Sequence, residues 1–304
     1  MRKIRYNLLE DDSSVKDVIE LVVSQGPKDE PVHILDLDDV VAKHQNWRRK
    51  LPRVDPFYAV KCRILHMHAF PSIPCVSRQR EWASPRRRLS KDVRKDQLRH
   101  NHRNHGCFCT WSVTPCRRLQ RVVRKDQQRD LASPRSSTTR QIFPLKSNVR
   151  VIAEPGTYYV ASAVTLIANV QSKRIVRTPQ GTVRELMYYL NDGLFGSFDW
   201  LNPRKYPPQV IPGNRQLVRS RELFSTTLWG PTCDSTDLIL SGMAMEELQI
   251  GDFLVFDDMG AYGTVLATSF NGFAKPKVMV YISRRSWEQL ELEKRNRRTK
   301  RKEH

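Results

Sequence analysis

Long apolar runs are missing from this chain of 304 residues. No stretch approaches the roughly 18 to 20 consecutive apolar residues of a transmembrane helix, so we expect no membrane-spanning segment. The charged start Met1–Asn7 is followed by no apolar run, which argues against a secretory signal. Cysteine is also scarce: four of the six cysteines lie in one segment, and the pattern predicts no disulfide framework. These absences predict a reducing, cytoplasmic setting.

Acidic residues are few in two parts of the chain. Residues 63–141 contain 19 Lys and Arg against 5 Asp and Glu, and residues 294–304 contain 7 against 1. The remaining residues carry 26 of each sign, so the net charge of +20 belongs to these two parts. This distribution excludes a uniformly basic protein that coats nucleic acid, and it directs the search for function to the neutral remainder.

Residues 63–141, which we call the basic insert, also lack hydrophobic patterning. From Val76 to Gln141 the longest uninterrupted apolar run is the three residues Cys107–Cys109. So little apolar surface cannot offset the entropy of ordering the chain, which predicts a largely disordered insert. The pattern stops after Cys62 and returns at Ile142, which favours translation from a shifted reading frame or an unspliced intron.

Two other interpretations of the insert stay open. Its histidines and cysteines cluster and could hold zinc, but their spacing matches no common zinc finger, and we expect no metal site. The clustered residues are His100, His102, His105, Cys107, Cys109 and Cys116. Arg-rich runs could bind RNA through its phosphates. We expect no nucleic-acid partner, and we interpret the basic tail, residues 291–304, as a solvated terminus rather than a nuclear signal or polybasic patch.

Regular patterns occupy both sides of the insert. Before it, the sequence predicts a strand at Val32–Leu37, a helix at Asp38–Leu51 capped by Asp38 or Asp39, and a buried strand at Pro56–Cys62. After it, short strands separated by turn residues predict a mostly antiparallel β domain. Those strands are Val149–Ala153, Leu186–Leu190, Leu223–Trp229, Asp252–Phe256, Thr264–Thr268 and Val278–Ile282, with a buried apolar segment at Tyr158–Val170 and a helical turn at Trp287–Lys294.

Five motifs in these patterned blocks are specific enough to compare with known families. They are Leu51–Cys62 (LPRVDPFYAVKC), Glu154–Val160 (EPGTYYV), Tyr188–Phe198 (YYLNDGLFGSF), Trp229–Asp234 (WGPTCD), and Met259–Tyr262 (MGAY) with Ser269–Phe273 (SFNGF). In content and order they resemble the eukaryotic ornithine decarboxylases. The resemblance covers roughly residues 8–62 and 142–290.

The resemblance implies a pyridoxal-phosphate (β/α)8 barrel followed by a β domain, in a homodimer whose active sites lie at the subunit interface. It implies decarboxylation of L-ornithine to putrescine in polyamine biosynthesis, and the eukaryotic-type motifs favour ornithine over lysine or diaminopimelate. The alternative is a non-catalytic regulator similar to antizyme inhibitor, with antizyme as the partner.

The resemblance also implies which residues hold the cofactor, pyridoxal 5'-phosphate. Lys61, at the end of the apolar run Phe57–Val60, would hold it covalently through the side-chain amine, which burial keeps unprotonated. Glu154 would face the pyridine nitrogen and keep it protonated, and Tyr262 would touch the phosphate.

Three further residues are implied to act on the substrate. Cys233 would reach in from the other subunit and deliver a proton to the substrate carbon after carbon dioxide leaves. Asp192 and Asp234 would bind the distal ammonium of the substrate as opposite charges in a partly dry site.

The sequence departs from the family pattern at the phosphate and in the barrel. Thr157 stands where the family has an arginine that grips the phosphate, and no Gly-Gly pair exists to form the family's phosphate loop. Lys61 and Glu154 are 93 residues apart, whereas about seven βα units of a barrel need on the order of 210 residues. We therefore predict that no closed barrel forms and that the chain does not hold pyridoxal phosphate.

The predicted fold class is α/β plus all-β. A barrel remnant is expected in residues 1–62, the basic insert in 63–141, the end of the barrel with a C-terminal antiparallel β-barrel or sandwich in 142–290, and the tail in 291–304.

Overall fold

The computed structural model describes residues 7–10, 13–25, 29–59, 75–76, 111–114, 150–198, 208–213 and 221–302. The strands are β1 (Asn7–Leu9), β2 (Val32–Asp36), β3 (Val54–Pro56), β4 (Tyr58–Ala59), β5 (Cys75–Val76), β6 (Trp111–Thr114), β7 (Arg150–Ala153), β8 (Val164–Arg177), β9 (Val183–Leu190), β10 (Gln209–Ile211), β11 (Leu223–Trp229), β12 (Leu238–Glu246), β13 (Phe253–Phe256) and β14 (Lys277–Ser283). The helices are α1 (Val15–Gln25), α2 (Leu37–Lys50), α3 (Thr157–Val160), α4 (Gly263–Leu266) and α5 (Arg284–Lys302).

The N-terminal block is anchored in a nine-stranded mixed sheet. β2 lies between β14, its parallel partner, and β8, its antiparallel partner, and Val32 is opposite both Lys277 and Ile167. The expected strand near residues 32–37 is thus confirmed, as is its addition to the C-terminal domain. Its apolar side chains are fully buried because helices or strands cover both faces.

Helix α2 begins one residue earlier than the sequence predicted. The cap is Asp36, whose carboxylate accepts hydrogen bonds from the backbone N–H groups of Asp38 and Asp39, so the predicted caps are wrong. Asp36 has the extended backbone of a cap residue, whereas its two neighbours already lie in the helix. The helix ends before Leu51, as the following proline requires.

The large sheet is mixed, although the strand pairs of the C-terminal domain are mostly antiparallel, as predicted. Its order is β1-β14-β2-β8-β9-β11-β12, and β13 joins β8 and β10. The pairs β1–β14, β2–β14 and β9–β11 are parallel. Two of these arise because strands of the N-terminal block add beside the last strand of the chain, an arrangement that local patterns cannot reveal. β8 pairs with β2 and β13 over its first half and with β9 over its second half.

A three-stranded sheet joins the two ends of the barrel remnant. β3 pairs in parallel with β7, with Val54 opposite Val151 and Pro56 opposite Ala153. The first and last strands of a barrel are neighbours, so this pairing has the arrangement of a barrel seam. In the described residues this sheet does not close on itself.

The basic insert contains regular structure at two described positions, and the prediction that the insert is largely disordered stays a prediction. β5 pairs in parallel with β4, and β6 pairs antiparallel with β7. β6 is rich in aromatic and β-branched residues, and the open edge of β7 supplies its hydrogen bonds. The remaining residues of the insert, with its histidine and cysteine cluster, lie outside the described residues.

Three other local predictions differ from the structure. The predicted strand at Thr264–Thr268 is wrong: Tyr262 has a left-handed backbone with φ 69°, and helix α4 follows it. The segment Tyr158–Val170 divides into α3 and the start of β8. The predicted helical turn is α5, which continues across residue 291 to Lys302. Among the described residues, no helix is long and apolar enough to cross a membrane.

Candidate functional site

Three loops meet at one end of the large sheet and form a narrow cleft, which we call the three-loop cleft. The loops span residues 191–198, 230–237 and 268–274. The cleft is lined by Asn191, Asp192, Gly193, Phe195, Gly196, Pro231, Thr232, Asp237, Thr268, Phe270, Phe273 and Ala274. Three of the sequence motifs are therefore brought together although they are far apart in the chain.

Asp192 organises the first loop from within. Its side chain is 3% exposed, and its carboxylate accepts hydrogen bonds from the backbone N–H groups of Gly193 (2.9 Å) and Ser197 (3.1 Å) and from the Ser197 hydroxyl. Burial raises the pKa of Asp192 to about 6, and the hydrogen bonds from Ser197 and Gly193 oppose this rise. Its predicted contact with a substrate ammonium stays a prediction.

A buried relay connects Asp192 to strand β2. The Ser197 hydroxyl donates a hydrogen bond to Asp192 Oδ2, and its oxygen lies 2.9 Å from His33 Nε2. All three side chains are buried. Burial lowers the pKa of His33 to about 4. His33 Nδ1 has no hydrogen-bond partner among the described residues, consistent with a neutral imidazole held by packing.

Asp237 ties the first loop to the second, and sequence reasoning missed it. One carboxylate oxygen accepts from the Leu194 N–H (2.7 Å), and the other accepts from the N–H (3.1 Å) and hydroxyl (2.7 Å) of Thr232. A Cβ atom at Gly193 or Gly230 would lie 2.2 Å from this carboxylate. The signal was therefore present as a glycine in each of two motifs, where backbone must approach a neighbour closely.

Cys233 and Asp234 lie at the tip of the second loop. Cys233 is exposed, and its Sγ lies 3.6 Å from Asn271 Nδ2 in the third loop. Asp234 Oδ1 accepts hydrogen bonds from the hydroxyl (2.7 Å) and N–H (2.8 Å) of Thr236. These bonds, the hydroxyl's first, lower the pKa of Asp234. Both predicted residues therefore lie on the second loop, next to the lining residue Thr232, but neither lines the cleft.

The third loop is fastened to the first by an aromatic stack and two hydrogen bonds. The rings of Phe195 and Phe270 stack with their centroids 4.2 Å apart. The N–H and the hydroxyl of Thr268 both donate to the Phe195 carbonyl, at 2.9 and 3.1 Å. The loop that carries Asn271 is therefore positioned by the loop that carries Asp192.

The predicted cofactor residues lie on a second group of segments. Glu154 follows β7 and is half-buried. The strand that leads towards Lys61 runs beside it: the Phe57 N–H donates to the Ala153 carbonyl (2.8 Å), and the Ala59 N–H donates to the Pro155 carbonyl (3.2 Å). Lys61 itself lies outside the described residues.

The segment of Tyr262 packs against the segment that follows Glu154. The Gly260 N–H donates to the Ala161 carbonyl at 3.0 Å, and a Cβ atom on Gly260 would lie 1.6 Å from the Val160 carbonyl oxygen. Tyr262 is half-buried, and helix α4 continues from it to the third loop of the cleft. The described parts of all five motifs therefore form one connected region, with Glu154 and Tyr262 on neighbouring segments.

Comparison with known proteins gives a family match and several similar sequences. A family model described as "Pyridoxal-dependent decarboxylase, C-terminal sheet domain" matches residues 21–260. The chain is 40% identical over 152 residues to ornithine decarboxylase from Cricetulus griseus, which covers 48% of this chain and 33% of that protein. It is 38% identical over 157 residues to antizyme inhibitor 2 from Xenopus laevis, covering 49% of this chain and 34% of that protein. The chain thus spans about a third of the length of these relatives.

A crystal structure of lysine decarboxylase from Selenomonas ruminantium aligns with the whole architecture. The TM-score is 0.57 at 18% identity, over 89% of this chain and 96% of that one. At this identity the likeness shows the fold alone, a mixed α/β fold shared with the fold-type III decarboxylases.

Proposed function

Because this chain belongs to the ornithine decarboxylase and antizyme inhibitor branch of the pyridoxal-phosphate-dependent decarboxylases, we propose that its site is built for decarboxylation of L-ornithine to putrescine. The observation that carries the proposal is the meeting of distant motifs at the three-loop cleft, with Cys233 exposed on the second loop beside the lining residue Thr232. The reaction requires the β domain to supply a proton donor, and the second loop, which carries Cys233, is present in this chain.

The described residues fit the ring of pyridoxal phosphate. The cofactor supplies an electron sink for the bond that breaks when carbon dioxide leaves. Glu154 would face the ring nitrogen and Tyr262 the phosphate, and their segments are in contact. The hydrogen bond from the Ala59 N–H to the Pro155 carbonyl joins the strand that precedes the predicted cofactor lysine to the segment that follows Glu154.

The phosphate end fits less well. Thr157, the first residue of α3, offers a hydroxyl that can donate one hydrogen bond. An arginine at this position would provide a charged fork that binds two phosphate oxygens. We therefore propose that the chain binds the cofactor too weakly to retain it through purification.

Asp234 and Cys233 have separate proposed roles, in substrate binding and in proton transfer. Thr236 lowers the pKa of Asp234, which favours the charged carboxylate that can attract a distal ammonium. Cys233 would transfer its S–H proton to the substrate α-carbon after decarboxylation, leaving a thiolate that must be reprotonated from solvent.

A substitution that restores an arginine for the cofactor phosphate tests the proposal. We expect the purified wild-type chain with added pyridoxal phosphate to show no stable visible absorbance band, and Thr157→Arg to gain a band and putrescine release from ornithine. Thr157→Gln, which is long but uncharged, is the matched control and should gain neither. Lys61→Ala in the Thr157→Arg background should abolish both. A Thr157→Arg chain with neither band nor product would overturn the proposed reaction, and a stable band in wild type would overturn the proposed weak binding.

A second candidate is a non-catalytic regulator similar to antizyme inhibitor. Thr157 favours it, since the resemblance implies that such inhibitors also lack the phosphate-binding arginine. A pull-down with purified antizyme separates the two functions. Failure of the chain to bind antizyme would remove the regulator from consideration, and putrescine production by the wild-type chain would do the same.

A further inference from the structure

Asn271 of the third loop contacts Cys233, the residue proposed to donate the proton. Its Nδ2 donates towards Cys233 Sγ over 3.6 Å, within the range of hydrogen bonds to sulfur. This contact joins the SFNGF motif to the WGPTCD motif, and the role implied for Cys233 does not explain it.

The backbone of Asn271 is held in an uncommon conformation. Its φ and ψ are 57° and 21°, in the left-handed region, where asparagine is among the better tolerated non-glycine residues. The stack of Phe270 on Phe195 and the two hydrogen bonds from Thr268 to the Phe195 carbonyl fix the residues before it. The side-chain amide of Asn271 is therefore held beside the Cys233 thiol by the structure of its own loop.

The loop that carries Cys233 is fixed independently. Asp237 holds Thr232, the residue before Cys233, by two hydrogen bonds, and Asp234 closes a turn onto Thr236. Because both partners are positioned before any substrate arrives, their contact costs little further ordering entropy.

We propose that Asn271 is a positioning residue for Cys233, whose side-chain amide orients the thiol and stabilises the thiolate left when the proton is transferred. This inference rests on the proposed function of Cys233. In the transfer the S–H bond breaks and a C–H bond forms on the substrate, and the electron pair of the S–H bond remains on sulfur. The Nδ2–H group then donates to a charged acceptor, which is a stronger hydrogen bond than donation to the neutral thiol.

The test measures thiolate chemistry without cofactor or turnover. The full chain is treated with iodoacetamide between pH 6 and pH 10, and alkylation of the peptide containing Cys233 is quantified by mass spectrometry, since only the thiolate reacts. Asn271→Gly removes the amide and suits the left-handed backbone. We expect the alkylation rate of this variant at pH 7 to fall about two- to threefold. Asn271→Asp places a negative charge beside the sulfur and should lower the rate further, by about tenfold.

Ser269→Ala, in the same loop but with the amide intact, is the control and should match wild type. Near-ultraviolet circular dichroism establishes that each variant keeps the packing of the aromatic residues. Equal alkylation profiles for wild type and Asn271→Gly, or a faster reaction in the variant, would overturn the inference. If instead the proposed function fails, Cys233→Ala in the Thr157→Arg background would keep full putrescine release while the alkylation profile still shifted with Asn271→Gly.

Discussion

At the scale of single residues, the relay from His33 to Asp192 combines two groups whose titration affects stability in opposite directions. Asp192 has a folded-state pKa raised from 3.8 to about 6, so its stabilising contribution is complete below about pH 4 and is lost as pH rises through 6. His33 has a pKa lowered from 6.5 to about 4, so the unfolded chain binds its proton first and stability is lost as pH falls below 6.5. Between pH 4 and pH 6 the two effects oppose each other.

Asp192→Asn should remove the carboxylate's contribution to the pH dependence of stability and leave that of His33. We expect wild type to gain stability relative to this variant as pH falls from 7 to 4, by up to about 3 kcal/mol, because only wild type can protonate the buried carboxylate. Urea denaturation at pH 4, 5, 6 and 7 measures the difference. His33→Gln should show the reverse trend against wild type. A difference between wild type and Asp192→Asn that does not change with pH would contradict the buried, raised-pKa carboxylate.

Asp237→Ala should be strongly destabilising. The substitution leaves the partly buried N–H groups of Leu194 and Thr232 and a partly buried hydroxyl without their acceptor, for a cost of about 3 kcal/mol in the free energy of unfolding. Asp234→Ala is a matched control in the same loop, where the carboxylate is exposed and bonded only locally, and its effect should be much smaller. Equal urea midpoints for the two variants would show that Asp237 does not join the loops.

At the scale of elements, helix α5 changes character along its length. Leu290 is buried, whereas Leu292 is 58% exposed and the residues from Lys294 onwards are mostly basic. The basic residues near the C-terminal end suit the negative pole of the helix dipole, which explains how the helix extends beyond the sheet. Its first half therefore supplies the packing with the sheet.

Removal of residues 293–304 should leave the fold stable. We expect far-ultraviolet circular dichroism to lose helical signal, with a midpoint of thermal unfolding within about 2 °C of wild type. Leu290→Ala in the full chain should lower the free energy of unfolding by about 2–3 kcal/mol. A truncated chain that unfolds much earlier than Leu290→Ala would show that the exposed half of the helix contributes to the core.

The sequence predicted elements well where pattern and environment agree. Leu223–Trp229 was predicted with its observed bounds, since aromatic and β-branched residues run up to the turn residues that begin at Gly230. Thr264–Thr268 was misassigned because its β-branched residues favour a strand, whereas the left-handed backbone of Tyr262 starts a helical turn. β12 was missed because Gly242 interrupts its apolar run.

The candidate site was predictable as motifs but not as a structure. Cys233 and Asp234 were identified by resemblance, and both lie on the second loop of the cleft, where Cys233 contacts Asn271 of the third loop. Asp237 resembles any polar turn residue in the sequence, and its importance comes from the burial and hydrogen bonds that only the fold creates.

At the scale of the whole molecule, we propose the homodimer with shared active sites that the motif resemblance implies. In the Thr157→Arg background, Lys61→Ala and Cys233→Ala chains should each be inactive alone. Mixed after brief unfolding and refolding, they should recover about a quarter of the activity, because half of the random dimers contain one intact site. Sedimentation of each chain measures the dimer directly. Lack of recovery from chains that do form dimers would contradict sites shared between subunits.

The pairing of β3 with β7 closes a long loop, and the entropy lost on closing it depends only weakly on the number of residues in the loop. The entropy lost on closing a loop grows only with the logarithm of its length, so closing one of 93 residues rather than roughly 210 differs by about 0.7 kcal/mol. The two strands therefore meet at nearly the same free-energy cost whatever number of residues separates them. Such a junction allows an intervening segment to be replaced in evolution while the β domain and its loops persist.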